Sequence, residues 1–168
     1  MKKAFISIGS NLGNRLENLK QALKMLSAED DITLQAVSAV YETAPVGGPE
    51  QGPYLNACAA LLTVLSPTKL LFRMQTIENS MGRVRKEKWG PRIIDLDMLV
   101  YEGVTMKSPL LELPHPLITG RDFVLIPLAD IAPELLIPGR KETVCAILLK
   151  RKQPKDIAIF VQPSWHSG

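Results

Sequence analysis

The run Arg92-Ile93-Ile94-Asp95-Leu96-Asp97 sets two carboxylates two residues apart within an otherwise apolar stretch. In a strand, alternate side chains share a face. Asp95 and Asp97 would then stand side by side with Cα atoms ~7 Å apart, and Ile94, Leu96, Met98 and Val100 would line the other face. Neighbouring carboxylates repel each other and depress strand propensity. A hard divalent cation between them removes that conflict, and Mg²⁺ takes one or two carboxylates completed by phosphates and water. The alternative is a solvated sheet face that tolerates two acids. The adjoining loop bears on the choice, because Arg83, Arg85, Lys86, Lys88 and Arg92 crowd a ten-residue window relieved by Glu87. Metal on one side and guanidinium groups on the other suit a polyphosphate.

A second constellation surrounds a loop rich in proline and glycine, Thr43 to Pro53. Thr43, Pro45, Tyr54 and Asn56 at its two ends combine an aromatic face with hydrogen-bonding groups, which fits a flat heterocycle with donors and acceptors on its edge. Taken singly, Asn56 is equally a backbone-bonding side chain and Phe123 a core residue. His115, between two prolines, is a rigid turn residue or a phosphate contact. Gly9-Ser10-Asn11-Leu12-Gly13-Asn14 lacks the GxxxxGK[ST] pattern and reads as a tight turn. Cys58 and Cys145, with only His115 and His166 for company, have no zinc-ligand spacing and fit a reducing compartment.

The elements that must position these residues follow from periodicity. Lys3 to Ile8 reads as a buried strand. A helix follows with Leu16, Leu19, Leu23 and Leu26 on one stripe, and Asn14 with Glu17 forms its capping box. Ile32 to Tyr41 is a second strand, and the run from Tyr54 is a third, covered on both faces. Ser66-Pro67 starts a helix whose buried stripe is Leu70, Leu71, Met74, Ile77 and Met81, with Gly82 as its stop. Ile93 to Tyr101 is the fourth strand. Beyond a short strand and the turn around His115, Asp122 to Ala132 and Thr143 to Lys150 read as helices and Ile157 to Val161 as a last strand. The order strand, helix, strand, strand, helix, strand is that of a split βαβ, ferredoxin-like unit. Residues 1–162 form one expected domain, and 163–168 an expected flexible tail.

The 168 residues, 46% hydrophobic and 22% charged, suit one globular domain. A net charge of +3 permits an anionic ligand without demanding nucleic acid or membrane. The basic run Lys150, Arg151, Lys152 and Lys155 reads as a solvated helix end. The apolar start from Ala4 to Ile8 is too short for a leader peptide, so a cytoplasmic protein is expected; a monomer is the separate expectation. An RNA-binding module of this architecture would want stacking aromatics where Asp95 and Asp97 stand.

Several motifs occur in one order: GSN at Gly9, YxTxPxG from Tyr41, YLN from Tyr54, GRVR from Gly82, WGPR from Trp89, DLD from Asp95, PHP from Pro114 and RxF from Arg121. Together they resemble the 6-hydroxymethyl-7,8-dihydropterin pyrophosphokinase family of folate biosynthesis, from Lys3 to about Arg140. The resemblance implies an α+β, ferredoxin-like three-layer α/β/α sandwich with a mostly antiparallel sheet. It implies transfer of the β,γ-pyrophosphoryl group of ATP to a reduced hydroxymethylpterin, with release of AMP. Asp95 and Asp97 would hold two Mg²⁺ ions, and Arg83 and Arg92 would stabilise the transferring group. Arg85 and Trp89 would sit on a loop that closes over the nucleotide. Gln75, Glu78, His115 and Arg121 would belong to the nucleotide side. Tyr54 and Phe123 would sandwich the pterin, with Trp89 beside it and Thr43, Pro45, Val46 and Asn56 reading its edge. Ala44, Leu110 and Glu112 depart from residues that relatives carry, and the last two bear on nucleotide contacts.

Overall fold

In a computed structural model, which describes residues 1–45, 51–82, 91–151 and 156–166, the sequence periodicities resolve into three layers. Strand β1 (Lys2–Ser10) leads to helix α1 (Arg15–Ser27). Strands β2 (Ile32–Val37), β3 (Val40–Thr43) and β4 (Tyr54–Thr63) follow, then helix α2 (Pro67–Ser80) and strand β5 (Asp95–Tyr101). A small hairpin, β6 (Met106–Lys107) with β7 (Glu112–Leu113), precedes helices α3 (Asp122–Ile131) and α4 (Val144–Leu149) and strand β8 (Ile157–Val161).

The main sheet runs β5-β1-β4-β3-β8, with β2 also paired to β4, and every pairing is antiparallel. Its β1-α1-β2/β3-β4-α2-β5 core is the ferredoxin-like split βαβ, extended at one edge by β8. Helices α1 and α2 cover one face. Leu19, Leu23 and Leu26 of α1 and Leu70, Met74 and Ile77 of α2 pack on Ile6, Ile8, Ala57, Ala59 and Leu61. Burial of one such side chain stabilises the fold by about 1.5–3 kcal/mol. Both helices start as their sequences require: Asn14 Oδ1 accepts from Glu17 N at 3.4 Å, and Ser66 Oγ from Lys69 N at 3.4 Å.

The other face is covered by α3 and α4, whose Val124, Leu125, Leu128 and Val144 pack on Phe5, Cys58, Ala60 and Leu99. Helix α3 is tied to β3 by polar contacts. The Tyr41 hydroxyl donates to Asp130 at 2.9 Å, and the same carboxylate accepts from Ala39 N at 3.2 Å. Burial, with Asp130 beside it, pushes the Tyr41 phenol well above its ordinary value.

Three expectations need correction. Ile32 to Tyr41 is not one strand. It breaks at Ser38, whose hydroxyl accepts from Cys58 N at 2.9 Å and donates to Ala39 O at 2.7 Å. Val100 does not share a face with Leu96 and Met98. Phe5 pairs with Val100 and Ile6 with Met98, so Leu99 is an extra residue that flips the alternation and turns Val100 towards the α3 side. Nor is the terminal stretch all frayed, since Trp165 is buried in the α1–α2 core and its indole donates to Ser38 O at 2.8 Å. In the second basic run, Lys150 pairs with Glu142 and Arg151 with Asp122, while Lys152 and Lys155 lie outside the described residues. Among the described residues no helix is long and apolar enough to cross a membrane.

Candidate active site

Antiparallel register builds the site. Gly9 lies opposite Asn56 on one side and Asp95 on the other, and Tyr41 lies opposite Asn56. Asp95, Gly9, Asn56 and Tyr41 thus form one row across four strands. In the next rows Ser7 pairs with Asp97, and Thr43 with Tyr54. Paired residues share a face, so the two aspartates stand on the same side as Thr43, Tyr54 and Asn56. That side carries the α3 core at one end and the polar residues at the other. Gly9 leaves room in the middle of the row, because a Cβ there would meet Asn56 Oδ1 at 3.1 Å and press on that amide. Asn56 is buried and its Nδ2 donates to Thr43 Oγ1 at 2.7 Å, which fixes the amide.

Asp95 and Asp97 are part-exposed, and Arg92 reaches Asp95 Oδ2 from Nη1 at 2.7 Å. Arg92 is itself held through its backbone: its N donates to Asn11 Oδ1 at 2.7 Å, and its carbonyl accepts from Asn11 N at 3.1 Å. Asn11 Nδ2 meanwhile donates to Gln51 Oε1 at 2.9 Å and approaches Gly52 O at 3.4 Å. This one buried amide therefore joins the end of the proline-glycine loop to the residue that opens the aspartate strand. Sequence reading missed it by taking GSN as a turn. A short polar side chain between glycine-rich positions was the available signal, but its partners lie 40 and 81 residues away.

Glu78 departs most from expectation. It is only 2% exposed, and its Oε1 accepts from Leu96 N at 2.7 Å. Leu96 separates Asp95 from Asp97 on the edge strand, so this carboxylate braces the strand from α2. Gln75, one turn earlier on α2, is part-exposed.

His115 is anchored by its N–H to Leu99 O at 2.8 Å, and its Nδ1 accepts from Leu117 N at 3.1 Å. The neutral imidazole therefore carries its proton on Nε2. Burial, and then the Arg121 charge, hold its pKa below the ordinary 6.5. A depressed histidine pKa means that the unfolded chain binds the proton first. The resulting stability is intact above pH ~6.5 and is lost as pH falls from there through the lower folded value. Nitrogen NMR should show the Nε2–H tautomer persisting below pH ~6.5. A midpoint above 6.5 would contradict this environment.

Arg121 stands over the Phe123 ring at 5.5 Å, and Phe123 is half-buried at the rim of the α3 core. The ring is thus neither wholly core nor wholly free. If it stacks on a ligand, Phe123→Ala should weaken heterocycle binding by ~1–3 kcal/mol while nucleotide affinity holds. A loss of stability of ~3–5 kcal/mol without that selectivity would mark it as core. Titration and melting of the one variant separate the two.

Pro45 is part-exposed just beyond β3. Val46, Arg83, Arg85 and Trp89 lie outside the described residues. The structure thus brings Arg92, Asp95, Asp97, Thr43, Tyr54 and Asn56 to one face, with His115 tied to Leu99 of the aspartate strand. An open groove of about 790 Å³ between Phe5, Val100 and Leu135 lies at the opposite end and includes none of these residues. Among the described residues no group of three or more His, Cys, Asp or Glu could hold a metal.

The family model described as 7,8-dihydro-6-hydroxymethylpterin-pyrophosphokinase matches residues 5–133. A 2-amino-4-hydroxy-6-hydroxymethyldihydropteridine pyrophosphokinase of Methylorubrum extorquens is 45% identical over 89% of this chain and 94% of its own. Its namesake in Haemophilus influenzae is 42% identical over 83% and 87%. Among solved structures, a Plasmodium falciparum HPPK-DHPS triple mutant superposes with a TM-score of 0.72 at 16% identity, over 89% of this chain. This chain spans 43% of that longer one, and the likeness shows the fold.

Proposed function

The chain belongs to the 7,8-dihydro-6-hydroxymethylpterin-pyrophosphokinase family, and on that premise we propose that it transfers the β,γ-pyrophosphoryl group of ATP to 6-hydroxymethyl-7,8-dihydropterin, as a Mg²⁺-dependent step of folate synthesis. The observation that carries the reading is the sheet register. It sets the Asp95–Asp97 pair on the same face as Asn56, Thr43 and Tyr54, which supports a phosphate end next to a heterocycle end.

The donor set fits Mg²⁺. Two part-exposed carboxylates on one strand face, with an arginine at 2.7 Å from one of them, leave the remaining positions to phosphate and water. Asp95 and Asp97 would hold the metal, two ions in the family pattern. When bound, Mg²⁺ supplies charge neutralisation of the phosphates.

The chain's own residues do the positioning. The hydroxymethyl oxygen bonds to the β-phosphorus and gives up its proton to water, the bond from that phosphorus to the α–β bridging oxygen breaks, and AMP leaves. Such a transfer asks for alignment and electrostatics rather than covalent help. Arg92, held by Asn11 at its backbone and by Asp95 at its guanidinium, offers positive charge to the transferring group. Arg83, Arg85 and Trp89 complete the nucleotide side in this reading. His115, neutral and donating through Nε2, and Arg121 contact phosphate or base. Asn56, with its amide oriented by Thr43, reads the pterin edge, and Tyr54 and Phe123 flank the ring with Pro45 and Val46. Glu78 is better placed to hold the strand than to touch nucleotide.

The deciding assay measures AMP release from ATP with Mg²⁺, with and without the hydroxymethylpterin. Release that depends on both metal and pterin is expected. Release that is indifferent to pterin would overturn the proposal.

A further inference from the structure

The geometry points to Arg15 as a positioning residue for the pterin pocket, an inference that rests on the pocket proposed above. Arg15 opens α1, and its guanidinium meets three segments distant in sequence. Nη1 donates to Pro53 O at 2.9 Å and lies 2.8 Å from a Glu42 carboxylate oxygen. The same group stands 5.7 Å from the centroid of Phe160 on β8. Nη1 carries two hydrogens, enough for both acceptors.

What matters is where those acceptors sit. Glu42 immediately precedes Thr43 and Pro53 immediately precedes Tyr54, and the sheet sets Thr43 opposite Tyr54. One cation therefore clamps both ends of the loop at the residues that lead into the pterin contacts. Asn11, four residues before Arg15, holds Gln51 and Gly52. The turn into α1 thus grips residues 51 to 53 one after another. Phe160 closes the arrangement from a strand that lies beyond the family match at residue 133. Because Arg15 and Glu42 are 24% and 39% exposed at their side chains, the pair adds little to global stability. Its effect belongs to the pocket. Lysine keeps the charge and has donors enough for both acceptors, but it lacks the planar guanidinium that stands by Phe160.

Steady-state kinetics on Arg15→Leu and Arg15→Lys, with amide exchange of the free proteins, test this. Arg15→Leu should raise KM for hydroxymethyldihydropterin roughly three- to tenfold, on the scale of one charge-assisted contact. KM for ATP, kcat and the melting temperature should hold, and exchange over residues 51–55 should quicken. Arg15→Lys should fall between. The swap Arg15→Glu with Glu42→Arg restores the ion pair without the Pro53 bond, and partial recovery of the pterin KM is expected. An unshifted pterin KM in Arg15→Leu overturns the inference, whether or not exchange quickens. So does a rise in both KM values together with a lower melting temperature, which would mark a purely structural staple. Unaltered enzyme is the control: if it releases no AMP with pterin present, the proposed function itself has failed, whereas normal release with an unshifted variant removes only the clamp.

Discussion

Asp97→Asn should fold normally and turn over about 100- to 1,000-fold more slowly, a loss of ~3–4 kcal/mol in transition-state stabilisation. Asn keeps the shape of the side chain on β5 opposite Ser7 and removes its charge. The effect on folding should be small and, if anything, favourable, because it relieves repulsion between two carboxylates on one strand face. On the proposed reading the effect on rate should be large, because the pair loses half of the charge that would hold a cation beside the phosphates.

The structure ties Asp95 directly to a residue that precedes its strand. Asp95 is paired with Arg92 at 2.7 Å, and both side chains are mostly but not wholly buried. Asp95→Asn should therefore lose that pair as well, at a cost of up to ~1 kcal/mol, and release Arg92 from its carboxylate. Melting curves and turnover at saturating ATP and Mg²⁺ distinguish the outcomes. Retention of most turnover by Asp97→Asn would remove the metal assignment, and failure of that variant to fold would make the pair structural.

The second large effect is expected at Glu78. Glu78→Leu leaves the Leu96 N–H without its acceptor inside the protein, which should destabilise the fold by ~1–3 kcal/mol. It should also lower kcat, because an aspartate strand displaced by about 1 Å can cost on the order of 100-fold in rate. Glu78→Gln keeps an oxygen that can accept from Leu96 and should recover most of both. Direct contact with nucleotide would give the opposite pattern, with Glu78→Gln raising KM for ATP while melting as the parent does. Amide exchange at Leu96 offers an independent reading: strong protection in the parent and in Glu78→Gln, weak protection in Glu78→Leu.

Much of this architecture could be read from the chain because it depends on near neighbours. The α1 stripe Leu19, Leu23 and Leu26, the Asn14 and Ser66 caps, and the shared face of Asp95 and Asp97 all follow from local backbone periods of 3.6 and 2. Ordered motifs added the family, which the match over residues 5–133 bears out. Tertiary structure decided the remainder. Which carboxylate is buried as a brace depends on α2 docking beside Leu96, and nothing near Glu78 in sequence announces it. Asn11 and Arg15 acquire their roles from partners brought close by the sheet, from 27 residues for Glu42 to 81 for Arg92. Val100 changes face because one extra residue, Leu99, enters the pairing with β1. Trp165 is core because Ser38 breaks a strand and presents a carbonyl to it. Spacing along an unbroken strand determines which side chains share a face; pairing and closure of the sheet determine where that period breaks and what the face meets.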